Sequence, residues 1–551
     1  LSTEVKKTAA GEPGEPVRTA GTVGLLTLVS RILGMLESRV LAYYLGVGPA
    51  ADAFFVAFRL PNLLRRFTAE GVMVAAFVPT IHEVESREGE DASRVFVSRF
   101  VGSLATLLGL GVAIGILGMG LIAGFMVLGR VAPGGASDKL LAWGRILLGE
   151  GQAPPEWSLT VFLARIMFGY LLFVSLSAAL GGVLNLNHRF ALPASTPILW
   201  NIVVIVLGVG LVRGLRLLEP AQAAVAFAWA VLAGGVAQVA LLWPTYRKLG
   251  YGLTLGLHLK QRAVAQTLRR MGPGILGAGA YQINVLVSTF LASTLAEGAQ
   301  TVLFNATMLG EMVLGLFAVS FATVSLPLMT RQAEAKDLDG LRKSLSLGLR
   351  STMVAALPAS IGMGILAQPI VALIFQTGRF GPDAVAWTAG TLVYQSIGVP
   401  MIAASRILVP ACYALKDYRG PVRVALASLG FNLVLSIALM GPLGTGGIAL
   451  ANGASALVSA LLLGRVLKAH LGTVPVREVL ASWGRIGLAA LPMAALALWG
   501  TVALPLRTFT SVASTAGLLL PLITVCALVY GAGLYWLGGE EVRGLLKKLR
   551  R

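Results

Sequence analysis

Residues 51–80, ADAFFVAFRLPNLLRRFTAEGVMVAAFVPT, carry a polar stripe through an apolar run. On an ideal helix Asp52, Arg59, Asn62, Arg66 and Glu70 fall within about 80° of one another, and Arg65 is rotated off that face. Pro61 removes a backbone hydrogen bond, which predicts a kink that turns Arg65 back toward the stripe. Just upstream, SRILGMLESR at 30–39 puts Ser30, Arg31, Glu37 and Arg39 in the same few turns. Fixed guanidinium groups in a low-dielectric setting suit a phosphate or pyrophosphate, because each planar fork donates two hydrogen bonds at once. That chemistry is assigned first to Arg31 and Arg65. Arg39, Arg59 and Arg66 fit equally well as snorkelling or structurally paired charges. Glu311 and Arg406 are the clearly intramembrane charges of two later runs; Glu311 reads as a packed, protonated acid, as a cavity group, or as a carboxylate that accepts a hydrogen bond.

Other chemistries find little support. The four histidines (His82, His188, His258, His470) fall singly, without a second ligand at metal-site spacing. Cys412 and Cys526 lie far apart in apolar segments and read as inert thiols. Asp337-Leu338-Asp339 is a D-x-D that could hold Mg²⁺ in a glycosyltransferase, but KDLDGLRKS also reads as an ordinary helix start. No polar connection has room for a soluble catalytic domain, so no enzyme is expected.

The elements that position these residues follow from composition. Of 551 residues 56% are apolar and 13% charged, and mean hydropathy is +0.80, which disfavours disorder and an ordinary soluble enzyme. About 20 apolar residues cross a bilayer, and fourteen such spans can be drawn between residues 19 and 538. The net charge of +19 lies mostly between them: 28 Lys and Arg fall in connections on the side of both termini and 7 on the other. That bias places both termini in the cytoplasm and makes nucleic-acid binding unnecessary. The expected organisation is a cytoplasmic tail over 1–18, a lobe of six helices over 19–245, a basic cytoplasmic linker over 246–270, a second six-helix lobe over 271–470, and two further helices with a basic tail over 471–551. A faint repeat, Arg189/Pro193/Asn201 against Arg419/Pro421/Asn432, supports two related halves.

The 51–79 block, with SRILG at 30–34, RFALPASTPILWN at 189–201 and YALKDYRGPVRVA at 413–425, resembles the signature of the MurJ (MviN) lipid II flippases of the multidrug/oligosaccharidyl-lipid/polysaccharide exporter superfamily. The resemblance implies two six-helix lobes around a central cavity, plus two C-terminal helices that form a groove for a lipid tail. It also implies Arg31, Asp52, Arg65 and Glu70 as cavity residues. Two family arginines are absent: the first helix reads Glu37-Ser38 where the pattern has Arg-Asp, and Met308 stands at the eighth-helix position. The sodium site of some members is poorly matched, with Gln282 and Asn284 in the seventh helix and Asn432 and Ser436 in the eleventh.

The expectation is therefore a monomeric, multi-pass protein of a bacterial inner membrane with no cofactor. It would move lipid II to the outer leaflet by alternating access, with coupling to an ion or to the membrane potential. The alternative within transport is a divergent exporter of another polyprenyl-linked glycan or amphiphile, which the missing arginines favour.

Overall fold

The computed structural model describes residues 15–68, 72–130, 136–506 and 511–537. A backbone in hydrocarbon must satisfy its own polar groups, and segments this apolar do so as helices. In chain order these are α1 (Glu15–Leu45), α2 (Pro49–Thr68), α3 (Val72–Glu88), α4 (Glu90–Leu117), α5 (Met119–Met126), α6 (Ala136–Leu147), α7 (Pro155–Phe168), α8 (Tyr170–Leu186), α9 (Ala191–Gly214) and α10 (Pro220–Lys248). They continue as α11 (Arg262–Ser293), α12 (Ala299–Glu334), α13 (Leu338–Ile365), α14 (Ala367–Phe375), α15 (Pro382–Ala414), α16 (Arg419–Leu443), α17 (Thr445–Leu471), α18 (Val476–Ala503) and α19 (Val512–Trp536). Among the described residues there is no strand, only an isolated bridge between Thr377 and Phe380. Among the described residues nine helical stretches are long and apolar enough to cross a membrane, or ten if α13 and α14, bent by 79° at their junction, count as one span.

The chain divides into two units. The first holds residues 1–45, 53–125 and 133–278; the second holds 46–52, 126–132 and 279–551. Two short segments of the N-terminal half thus cluster with the C-terminal half. The kink expected at Pro61 does not end α2, which runs through it to Thr68.

In the first unit α3, α4, α8 and α10 bury a core that includes Met73, Phe77, Phe96, Phe100, Val183 and Tyr246. Phe77 and Phe100 stack with ring centroids 4.3 Å apart. The region expected as a basic linker over 246–270 holds a connection between two helices. α10 extends to Lys248, α11 begins at Arg262, and between them an extended strap lies along α4. The strap amides of Gly252, Gly256 and His258 donate to the hydroxyls of Ser98, Thr106 and Ser103, and that of Thr254 to the Ser98 carbonyl. Such close approach requires Gly102: a Cβ there would sit 1.7 Å from the Thr254 carbonyl oxygen. The alternating residues Leu253, Leu255, Leu257 and Leu259 face outward.

In the second unit α15 and α17 meet backbone to backbone, since a Cβ on Gly398 would lie 2.4 Å from the Gly453 Cα. Small residues at a membrane helix crossing permit this packing. α18 and α19 bury Ile486, Met493, Leu522 and Tyr530 against α13, and the Tyr530 hydroxyl donates to the Val354 carbonyl at 2.7 Å. One helix-ending turn recurs after α8, α9, α12 and α15, so it is not specific to the repeat seen in the sequence. After α8 and α15, His188 and Lys416 both take a left-handed conformation (φ 56° and 60°). In each case the next amide, Arg189 or Asp417, closes back onto the helix at Leu184 or Cys412.

Candidate functional site

In the first unit α1 packs on α9 and α10. Asn201 Nδ2 of α9 donates to the Ser30 carbonyl at 3.1 Å, which fixes the level of α1 at Ser30 and Arg31. Arg31 is half-buried, with no hydrogen-bond or ion-pair partner among the described residues. Glu37, two turns on, is buried. On α2 Arg59 is buried, while Asn62 and Arg65 are half-buried. Phe58 of α2 stacks on Trp200 of α9 at 6.0 Å, and Trp200 contacts Tyr170 of α8 at 5.9 Å, so an aromatic row holds the helix that carries these arginines. The side chains of Arg66 and Glu70 lie outside the described residues.

Asp52 stands apart from the stripe. Its carboxylate is 1% exposed and belongs to the second unit. Arg130 Nη2 donates to Oδ2 at 2.6 Å and the Gly298 amide to the same oxygen at 2.8 Å. The Thr301 amide and hydroxyl donate to Oδ1 at 2.7 and 2.5 Å. Asp52 therefore caps α12 from a distant part of the chain, with the positive end of the helix and a guanidinium together neutralising it. Arg130, Gly298 and Thr301 were not legible as its partners, since no local pattern links residues 78 to 249 positions apart.

Two charges that read as solitary in sequence are partners. Arg406 Nη2 of α15 donates to both carboxylate oxygens of Glu311 on α12, each at 2.8 Å, and both side chains are about one-quarter exposed. The pair fixes Glu311 as a hydrogen-bonded carboxylate beside a cation, one of the readings left open by its sequence position. Met308 lies one turn before Glu311 on the same helix.

Of the weak sodium candidates, Asn284 and Asn432 belong to a neutral knot. Asn452 Oδ1 of α17 accepts from Asn284 Nδ2 at 3.1 Å, Ser288 Oγ at 3.3 Å and Asn432 Nδ2 at 2.9 Å. Asn432 and Ser436 are fully buried. The central oxygen already receives three donors, whereas Asn284 Oδ1, Asn432 Oδ1 and Ser436 Oγ are buried without a hydrogen-bond partner among the described residues. The D-x-D is a helix start: Asp337 Oδ1 accepts from the Gly340 amide at 2.8 Å, and Asp339 takes Arg342 Nη1 at 2.5 Å. Both cysteines are buried, free thiols.

The profile of the family described as "Lipid II flippase MurJ" matches residues 41–520. The chain belongs to the MurJ lipid II flippase family. This is a family of transporters, not enzymes. A lipid II flippase MurJ of Burkholderia cenocepacia is 32% identical over 446 residues, covering 80% of this chain and 82% of the relative. A probable lipid II flippase MurJ of Rhizobium meliloti is 32% identical over 488 residues, covering 87% and 85%. A solved structure of a lipid II flippase MurJ in an inward closed conformation superposes with a TM-score of 0.69 at 22% identity, over 95% of this chain and 99% of that one. An inward-facing multidrug resistance transporter of the MATE family, in the MOP superfamily, gives 0.59 at 13% identity over 80% and 95%. The fold is thus that of a multi-pass MurJ- and MATE-type membrane transporter.

Proposed function

We propose that this chain flips lipid II, the undecaprenyl-pyrophosphate-linked peptidoglycan precursor, from the inner to the outer leaflet of a bacterial cytoplasmic membrane. The family match over residues 41–520 carries the reading. In it Arg31 and Arg65 hold the pyrophosphate by forked hydrogen bonds. Ser30, Arg59, Asn62, Arg66 and Glu70 surround them, and the tail remains in lipid. Glu311 and Arg406 act as a pair in the second half. Movement is by alternating access in a monomer, driven by an ion gradient or the membrane potential. Expression in a bacterium depleted of its own lipid II flippase tests the reading. Restored growth supports it, and failure despite normal insertion argues against it. The second reading, export of another polyprenyl-linked glycan, rests on Glu37, Ser38 and Met308 standing where the family pattern carries Arg, Asp and Arg. It predicts failed rescue together with translocation of a different pyrophosphate-linked lipid.

The fourteen-span topology belongs to the same proposal. The ten stretches that pass on length and composition are supplemented by α1, the α2–α3 pair, α11 and α12, which carry Arg31 and Glu37, Asp52 and Arg59, Arg269 and Arg270, and Glu311. Both termini then lie in the cytoplasm. A membrane-impermeant thiol reagent on intact cells should label Glu150→Cys and miss Arg87→Cys. The reverse pattern would invert the topology.

A further inference from the structure

Glu37 is an acid in a membrane helix to which the transport reading gives no role. Its side chain is buried, 9% exposed, between α1 and the helices packed on it, and it has no hydrogen-bond or ion-pair partner among the described residues. Leu36 beside it is half exposed, so the carboxyl occupies a position that packing would fill better with an apolar group.

Among the described residues of α9 and α10, the helices packed on α1, no charge stands at its level. Asn201 Nδ2 reaches the Ser30 carbonyl and lies 4.0 Å from where a Cβ of Gly34 would stand, which sets the register of α9 against α1. Glu37 is three residues, about 4.5 Å, beyond Gly34. The charged residue of α9 is Arg213, twelve residues or about 18 Å beyond Asn201. On α10 the register is set by Phe227, whose ring contacts Tyr44 at 5.7 Å. Tyr246, Arg247 and Lys248 lie about 28 Å or more farther along α10, past the level of Ser30. On α1 itself, Arg31 is about 9 Å away along the axis and about 120° around, and Arg39, two residues on, is about 160° around. An ionised carboxylate in such a place has nothing to offset its desolvation.

We propose that Glu37 is a proton-binding site of the transport cycle: the carboxyl holds a proton while α1 is packed on α9 and α10, as here, and yields it to water when that packing opens. The O–H bond breaks, the proton leaves on water, and the carboxylate remains until it is protonated again. Proton occupancy of Glu37 then sets which packing of α1 is favoured, and a pH gradient biases the direction of transport. This coupling rests on the transport reading, whereas the protonated resting state does not.

Two measurements separate those levels. Infrared difference spectroscopy of the purified protein in lipid nanodiscs should show the carbonyl stretch of a buried carboxylic acid at neutral pH, absent from Glu37→Gln and shifted in Glu37→Asp. Its absence from the wild type overturns the proposal whatever the substrate. In proteoliposomes, the wild-type rate of lipid II translocation should change about fivefold or more when an imposed pH gradient is reversed, while Glu37→Gln translocates without regard to the gradient. Equal gradient dependence in both, or none in the wild type, overturns the coupling. If Glu37→Gln does not fold, Glu37→Asp should keep the dependence with a displaced pH midpoint, and an unchanged midpoint counts against Glu37. A wild type with the infrared band but no lipid II translocation contradicts the flippase reading alone.

Discussion

Glu311 of α12 and Arg406 of α15 form an ion pair across 95 positions of sequence, with one guanidinium nitrogen bridging both carboxylate oxygens at 2.8 Å. Each partner answers the desolvation that the other would suffer alone in the membrane. Glu311→Gln or Arg406→Gln should lower the melting temperature in detergent by the equivalent of about 1–3 kcal/mol. The double variant should be more stable than the sum of the two losses. Strictly additive losses would show that the pair contributes no coupling.

The Asp52 clamp predicts an order of effects. Asp52→Ala removes the acceptor of four donors, Arg130 among them, so it should cost about 3–5 kcal/mol. Arg130→Ala leaves the α12 amides and the Thr301 hydroxyl on the carboxylate and should cost less. Thermal denaturation of both variants checks the ranking.

Gly102→Val should eject the 251–259 strap from α4, because its Cβ has no room beside the Thr254 carbonyl. Limited proteolysis should then cut between residues 251 and 259 faster than in wild type. Unchanged protection would mean that the strap is held elsewhere.

How much of this was legible beforehand differs by residue. The long apolar segments announce themselves, because lipid exposure imposes a local compositional rule. The family signature in 51–79 lies in one contiguous block. Pairings between helices have no such local trace: Glu311 and Arg406 were each visible as intramembrane charges, but their contact depends on how α12 and α15 cross. Asp52 fell on the stripe by helical angle, yet it sits at the start of α2, where chain direction changes, and caps α12 instead. The strap was hidden by its flanks, since Arg247, Lys248, Lys260 and Arg262 mark the region as basic while LTLGLHL between them alternates with a strand period.

Asp417, in the turn between α15 and α16, gives a pH prediction outside the membrane spans. The Gly420 amide, and then His470 at 3.0 Å, hold its carboxyl below the ordinary carboxylate range. The unfolded chain therefore binds this proton more readily than the folded one. The stabilisation is present above the ordinary carboxylate pKa and is lost as pH falls through the lowered folded value. Melting temperature followed from neutral to acid pH should fall less steeply in Asp417→Asn than in wild type.

Arg31→Lys and Arg65→Lys separate binding from structure. If the guanidinium forks hold a pyrophosphate, each variant should insert at normal levels while translocation falls about tenfold or more, the loss of one charge-assisted hydrogen bond. Normal translocation with both lysines present would remove these residues from the site.

The most direct test of the central claim is the leaflet accessibility of labelled lipid II in proteoliposomes containing only this protein. The account predicts that lipid II supplied on one face becomes accessible to an impermeant probe on the other, faster than in protein-free vesicles, and that Arg31→Lys slows this. Correctly folded protein that leaves lipid II on its original face, with and without an imposed membrane potential or ion gradient, would contradict it.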